Sequence, residues 1–298
     1  MCGIVGLFLK DPNLESELGS LLAPMLCTMS DRGPDSAGFA VYGECIPGCM
    51  KLTLRGDENT DFSAIAEELR RLTGQPISFV QRDTHAIFAV IDTEEAAVRE
   101  RLREIVPGIA IIGAGKRMEL YKEVGYPTEI AKRFVLSAMQ GSHAIGHTRM
   151  ATESAVTTTG AHPFSTGVDL CLVHNGSLSN HNALRRELAH DGITFETDND
   201  TEVAAGYITW RMRQGMGLKA ALEAALVDLD GFYTFVVGTE TGFAVLRDPI
   251  ACKPAIMVET DSYVAFGTEY RALADLPGVE DGRIFEPEPA KVYIWERH

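Results

Sequence analysis

The chain has 298 residues, 45% of them hydrophobic, enough to bury a substantial core as one large domain or two modest ones, and this excludes disorder as the main state. Against 27 basic side chains stand 42 acidic ones, a net charge of -15 whose field repels phosphate backbones and anionic bilayers, so neither nucleic acid nor membrane is expected as a partner. No basic segment precedes the first apolar run, Ile4 to Leu9, no stretch approaches the ~18 apolar residues of a membrane span, and six cysteines without an export signal suit free thiols in a cytoplasmic protein.

A strand-like opening leads to Asp11, which can cap a helix with Pro12 at its first position. Leu14, Leu18, Leu21, Leu22, Met25, Leu26 and Met29 follow at helical spacing, and the helix is expected to end before Asp31. Gly38 to Gly43 alternates as a strand. Residues 44–115 then read as a module of their own. Met50 to Arg55 is a strand, Asp61 to Leu72 a helix, Ile77 to Val80 and Ala86 to Ile91 strands, Glu94 to Ile105 a helix and Ile109 to Ile112 a strand. The order β-α-β-β-α-β is that of ferredoxin-like modules. Strands return from Glu119. Asn180 opens a helix that Gly192 closes, and Asp200 to Gln214 and Leu218 to Leu229 are helical. The last quarter is a meander, with Tyr233–Gly238, Phe243–Arg247, Ala255–Glu259, Tyr263–Gly267 and Val292–Trp295 short, apolar and separated by turn residues, as in packed antiparallel sheets.

Cys2 follows the start methionine directly. It is either a small buried residue of the first strand or, once Met1 is removed, a thiol and a free amine in one residue. An α-amino group titrates near ~8 and a thiol near ~8.5, so the amine can take the thiol proton without a histidine. Arg149 is either a surface ion-pair partner or a two-pronged grip for a substrate carboxylate. Asn175-Gly176 is either a hairpin turn or a pair of donors for an oxyanion. Asp198, Asp200 and Glu202 suit the positive end of a helix, and one of them can instead meet a substrate ammonium. His143 and His147 look zinc-like, but four strand residues separate them by ~13 Å, too far to share one ion, so no metal is expected. Cys45 and Cys49 lack a second ligand pair and read as free loop thiols.

Taken in order, the motifs resemble those of the class II glutamine amidotransferases, which are N-terminal-nucleophile hydrolases. Met1-Cys2-Gly3-Ile4-Val5-Gly6 is similar to the family's opening, Asp31 to Gly38 to its Arg-Gly-x-Asp-Ser-Ala-Gly, and Gly146 to Thr152 to its Gly-His-Thr-Arg-x-Ala-Thr. His162-Pro163, His174-Asn175-Gly176, Asp200-Thr201-Glu202, Arg247-Asp248-Pro249 with Lys253-Pro254, and Gly267-Thr268-Glu269 follow. The resemblance implies an α+β fold, a four-layer αββα sandwich over residues 2–298, with 44–115 as an inserted ferredoxin-like subdomain. It implies Cys2 as nucleophile, Asn175 and Gly176 as oxyanion hole, Arg149 as carboxylate anchor and Asp200 as partner of the glutamine α-amine. Thr152 and His162 would line or support the pocket, and Arg32 and Asp35 would brace the chain start. Three departures stand out: Glu153 where several family members have histidine, Asp198 as a second carboxylate beside Asp200, and the insert, with no synthase domain behind the glutaminase region.

The implied activity is hydrolysis of L-glutamine to glutamate and ammonia without metal or cofactor. The architecture looks most like the amidotransferase subunit of glutamate-synthase-like complexes such as N-methylglutamate synthase. A flavin-binding synthase subunit is therefore the expected partner in a hetero-oligomer. The alternatives are a catalytically silent glutamine-sensing or scaffolding domain, the amidotransferase subunit of another synthase, and an N-terminal-cysteine hydrolase of a different amide.

Overall fold

A computed structural model of the chain describes residues 2–106, 108–151 and 155–297, so Met1, Thr152 and Glu153 lie outside the described residues. The elements run β1 (Gly3–Leu9), α1 (Leu18–Thr28), β2 (Ser36–Tyr42), β3 (Cys49–Arg55), α2 (Phe62–Thr73), β4 (Ser78–Arg82), β5 (His85–Ile91), α3 (Glu95–Ile105), β6 (Ala110–Gly115) and β7 (Met118–Val124). Then come α4 (Pro127–Arg133), β8 (His143–Arg149), β9 (Phe164–Gly167), β10 (Leu170–Leu178), α5 (His181–His190), α6 (Asp200–Arg213) and α7 (Leu218–Asp228). The chain closes with β11 (Gly231–Gly238), β12 (Gly242–Arg247), β13 (Ile256–Glu259), β14 (Tyr263–Gly267), β15 (Arg283–Phe285) and β16 (Val292–Glu296).

Strand periodicity explains the layering. In β1, Val5, Leu7 and Leu9 point to one side, where they pack with Leu18, Leu22, Met25 and Leu26 of α1. Ile4 and Phe8 point to the other, where they meet Cys171 and Val173 of β10 and Val236 of β11. The neighbours of Cys171 and Val173 along β10, Leu170 and Leu172, face outward against Val203 and Tyr207 of α6 and Ala221 of α7. Two antiparallel sheets, β15-β13-β14-β1-β8-β2-β7 and β16-β12-β11-β10-β9, are thus stacked with helices outside both. This is the four-layer αββα sandwich that the motifs imply.

The segment after β2 builds a third, four-stranded sheet in the order β4-β5-β3-β6, every pairing antiparallel. With α2 and α3 it is the β-α-β-β-α-β arrangement read from the sequence, centred on Leu52, Leu54, Phe62, Leu69, Phe88, Val98 and Leu102. Its β3 lies beside β7, the edge of the seven-stranded sheet. Lys51 pairs with Glu119 at 2.8 Å, and the Thr53 hydroxyl accepts the Leu120 N–H at 3.2 Å. The central sheets are not interrupted.

Local differences from the sequence reading have local causes. The segment after Asp11 starts as a 3-10 turn, Pro12–Glu17, with the Asp11 carboxylate accepting the Asn13 N–H, and becomes α-helical at Leu18. The seven-residue α4 and three-residue β15 are too short for their periodicity to stand out. Among the described residues no helix is long and apolar enough to cross a membrane.

Phe88 is fully buried and stacks on Phe79 at 5.0 Å in a core separate from those of the main sheets. Phe88→Ala is expected to cost about 3–5 kcal/mol. Hydrogen exchange should show the loss of protection confined to residues 49–115, and equal loss across β1, β8 and β10 would contradict a separate core.

Candidate active site

The site is assembled where the start of β1 meets the end of β8. Gly3 pairs with Thr148, so Cys2 stands one step further, beside Arg149 and Met150. The Met150 N–H points at the Cys2 sulfur, 3.5 Å away. The Cys2 carbonyl accepts from Arg32 Nε at 3.1 Å and Asn175 Nδ2 at 3.3 Å. Arg32 is itself held by Glu269, and the next N–H in β1, that of Ile4, donates to the Thr268 hydroxyl at 2.8 Å. The turn carrying Arg32 presses on β8 so closely that a Cβ on Gly33 would lie 2.3 Å from the Thr148 carbonyl carbon. Asp35 acts further along, accepting the Ala151 N–H at 2.8 Å.

Asn175 and Gly176 lie within β10, paired with Thr234 and Tyr233 of β11 rather than in a hairpin turn. Gly176 has φ 151, and a Cβ there would meet the Phe232 carbonyl oxygen at 2.0 Å, so no side chain fits. Residue parity along β10 puts Asn175 on the same inner face as Cys171 and Val173 and turns His174 toward α6. Along β8, His147 shares the inner face with Ile145.

Arg149 ends β8 with 6% of its surface exposed and donates to the Ala155 carbonyl at 3.4 Å, which sets aside the surface reading. Asp200 opens α6, its side chain 24% exposed. One oxygen accepts the Leu178 N–H at 3.0 Å and the other lies 3.7 Å from His174 Nδ1. Glu202, by contrast, uses its carboxylate on the backbone N–H groups of Glu196 and Thr197, both at 2.8 Å, and Asp198 is exposed. His162 is buried, its Nε2 2.7 Å from the Thr201 hydroxyl and its ring stacked on His147 with centroids 4.0 Å apart.

Burial sets the charges here. It pushes His147 down to about 3 and His162 well below the usual imidazole range. His174 is lowered in the same way, against the pull of Asp200. The three rings are neutral near pH 7. Burial pushes the Cys171 thiol up to about 12, which keeps it protonated between the sheets.

Cys2, Arg149 and Asn175 are therefore brought together, with Asp200 and His162 joined to Asn175's strand through His174 and Thr201. Thr201, Thr268 and His147 stand in the ordered motifs, but the sequence assigns them no part in the site. The signal for His147 was its place two residues before Arg149, hence on the same strand face. His143, weighed with it as a metal pair, stacks on Tyr42 and bonds the Thr239 carbonyl instead. Among the described residues no group of three or more His, Cys, Asp or Glu side chains is placed to hold a metal ion. A cleft of about 320 Å³ lies elsewhere, between α3, β9 and α6, with the buried Lys122 among its lining; Cys2, Arg149 and Asn175 do not line it.

Cys2 at the head of an inner strand beside the Asn175 amide, on a four-layer αββα scaffold, matches an N-terminal-nucleophile hydrolase fold of the amidotransferase type. A family model described as a glutamine amidotransferase domain matches residues 147–275. The chain is 60% identical over 297 residues, 99% of its own length and 98% of the relative's, to the glutamine amidotransferase-like protein GlxB of Rhizobium meliloti. It is 32% identical to a putative glutamine amidotransferase of Methanothermobacter thermautotrophicus, covering 98% of this chain and 99% of that one. It belongs to the class II glutamine amidotransferases and is an enzyme of that class. Glutamine–fructose-6-phosphate aminotransferase of Idiomarina loihiensis is 35% identical across 44% of this chain and 21% of its own. The fold is also that of the glutamine phosphoribosylpyrophosphate amidotransferase of B. subtilis, with a TM-score of 0.63 at 22% identity. That match covers 99% of this chain, which spans 47% of that one.

The lowered imidazoles predict an acid-sensitive fold. A group whose pKa falls on folding takes up its proton first in the unfolded chain, so its contribution is complete above about 6.5 and is lost as pH drops toward its folded value. His85, His143 and His147 are all pushed to about 3. Each then removes up to ~1.4 kcal/mol per pH unit below about 6. Urea unfolding is expected to show stability dropping by a few kcal/mol from pH 7.5 to pH 5. His143→Phe should make that slope shallower.

Proposed function

We propose that the chain hydrolyses L-glutamine to glutamate and ammonia through a Cys2 thioester and passes the ammonia to a separate synthase subunit of glutamate-synthase or N-methylglutamate-synthase type. The first half is supported by the Asn175 amide bonded to the Cys2 carbonyl at the head of β1, with Arg149 one step beyond the Gly3–Thr148 pair at the end of β8. In this reading Met1 is removed and the free α-amine takes the Cys2 thiol proton. The thiolate attacks the side-chain amide carbon of glutamine, and the oxyanion is held by Asn175 Nδ2 and the Gly176 N–H. The amine returns the proton to nitrogen as the C–N bond breaks and ammonia leaves. Water, activated by the same amine, then cleaves the thioester and releases glutamate. Arg149 binds the substrate carboxylate and Asp200 its ammonium, with His162 and Thr152 supporting the pocket. No metal or organic cofactor takes part.

The second half rests on the extent of the relatives and on the chemistry of ammonia. The two relatives that align end to end are coextensive with this chain, whereas the fructose-6-phosphate aminotransferase matches over a fifth of its length. Ammonia released to water becomes ammonium and stops being a nucleophile, which favours direct transfer to a partner. Residues 44–115 form an inserted subdomain within the 2–298 domain in this reading, with docking or regulation as its role. Its separate sheet and core support that.

Cys2→Ala is expected to abolish glutamine hydrolysis while leaving the unfolding transition in place, and N-terminal mass spectrometry should find Cys2 as the first residue. Arg149→Ala and Asp200→Ala should raise KM steeply, each leaving a substrate charge unpaired at a cost of ~2 kcal/mol or more. Asn175→Ala should lower kcat by ~10²-fold. Glutamine turnover by a Cys2→Ala variant would remove the thioester. A rate unaffected by a flavin-binding synthase copurified with the chain would leave a plain glutaminase.

A further inference from the structure

His147, His162 and His174 form a buried block behind Cys2, and the reaction written above uses none of their protons. Each ring has one nitrogen in a hydrogen bond and one that is buried without a partner among the described residues: Nδ1 of His147, Nδ1 of His162 and Nε2 of His174. Orphaned buried N–H groups are rarer than bare acceptors, so the unpartnered nitrogens are the unprotonated ones. Protons then sit on Nε2 of His147, Nε2 of His162 and Nδ1 of His174.

A backbone group fixes the His147 tautomer independently. Its Nε2 lies 3.1 Å from the His174 carbonyl oxygen, which can only accept, so Nε2 must carry the proton. The same nitrogen is 3.2 Å from an amide atom of Asn175. That atom must be the oxygen, because an NH₂ group there would set donor against donor. With Oδ1 held by His147, Nδ2 is turned the other way, 3.3 Å from the Cys2 carbonyl and 3.3 Å from the Thr268 hydroxyl. The flipped amide would bring a carbonyl dipole to the place where an oxyanion forms.

We infer that His147 is a positioning residue: its Nε2-protonated imidazole locks the Asn175 amide in the one orientation that offers Nδ2 to Cys2 and to the oxyanion formed there. This rests on the reading of Cys2 and Asn175 as glutaminase machinery. Burial, which pushes His147 down to about 3, keeps the ring in this neutral form at physiological pH. The rest of the block extends the arrangement. The Thr201 oxygen accepts from His162 Nε2 at 2.7 Å and His174 Nδ1 at 3.1 Å, which leaves its own proton for Asp200 Oδ1 at 3.4 Å. One neutral network thus sets the orientation of Asn175 and of Asp200 together.

The test compares His147→Leu, His147→Gln, Asn175→Ala and the double variant His147→Leu/Asn175→Ala in the full chain by steady-state glutamine hydrolysis. His147→Leu should lower kcat by about 10- to 100-fold with KM changed by less than about threefold, since the lost contact matters when the oxyanion forms. His147→Gln, which places an N–H near the Nε2 position, should restore kcat to within about fivefold. The double variant should be no slower than Asn175→Ala alone, because His147 acts through that amide. An unimpaired His147→Leu, or losses that multiply in the double variant, would overturn the inference while leaving the oxyanion reading intact. Asn175→Ala at full kcat would instead remove the oxyanion reading, and the inference with it. Should His147→Leu fail to fold, ¹⁵N NMR of the native chain decides: a neutral Nε2–H tautomer at His147 is expected at pH 7, and an Nδ1–H tautomer or an imidazolium overturns the proposal.

Discussion

The strand that leads out of Cys2 is anchored inside the protein rather than at its edge, and the site depends on this. Here β1 is an inner strand, paired with β14 on one side and β8 on the other, and buried on both faces. Its register is strongly specified, because a slip by one residue would turn Val5, Leu7 and Leu9 toward the second sheet and Ile4 and Phe8 toward α1. A fixed register places Cys2 beside Arg149, and the donors Arg32 and Asn175 hold its carbonyl there.

The space between the sheets is apolar along most of its length, filled by residues such as Ile4, Val173 and Phe266. Beside Cys2 it changes to His147 and Asn175, with His162 and Thr201 next to them, all buried. Buried polar groups are costly when unpaired and rigid when paired, since the low local dielectric strengthens each bond and penalises each loss. Neutral imidazoles suit such a place. They offer one directed donor each without the desolvation cost of a charge, and the charged Asp200 is kept at the partly exposed margin.

The insert meets the sandwich along a seam of a different character. Lys51 with Glu119 and Arg55 with Glu123 join β3 to β7, together with the Thr53 to Leu120 bond. Directed polar contacts of this kind set the orientation of one sheet on another more than they add to stability. Part of the module's apolar surface lies under α2 and α3, while Ile87 and the His85 ring of β5 face the sandwich and pack with Tyr121 and Phe134. The module thus has a core of its own and a seam that combines ion pairs with apolar contacts.

Much of this was legible along the chain, because strand alternation, helix spacing and caps are relations between near neighbours. Asp61 caps α2 and the Tyr263–Gly267 strand has the bounds its pattern suggests, while the β-α-β-β-α-β order of the insert follows from six local patterns. The ordered motifs likewise single out Cys2, Arg149, Asn175 and Asp200 as candidates. Local pattern failed where a residue's fate is set across the fold. Asn175-Gly176 has the composition of a hairpin turn but lies within a strand, because β11 pairs with it through the Phe232 to Thr234 segment. His143 and His147 share a strand face but meet different partners, Thr239 and Asn175, brought by the second sheet. The sequence by itself determined most of the elements, among them the β-α-β-β-α-β order of residues 49–115, and the chemical types of the candidate residues. Only the tertiary structure decided that β8 and β10 face each other, so that a ring at 147 meets an amide at 175, because long-range strand pairing and sheet stacking, not neighbours along the chain, set that distance.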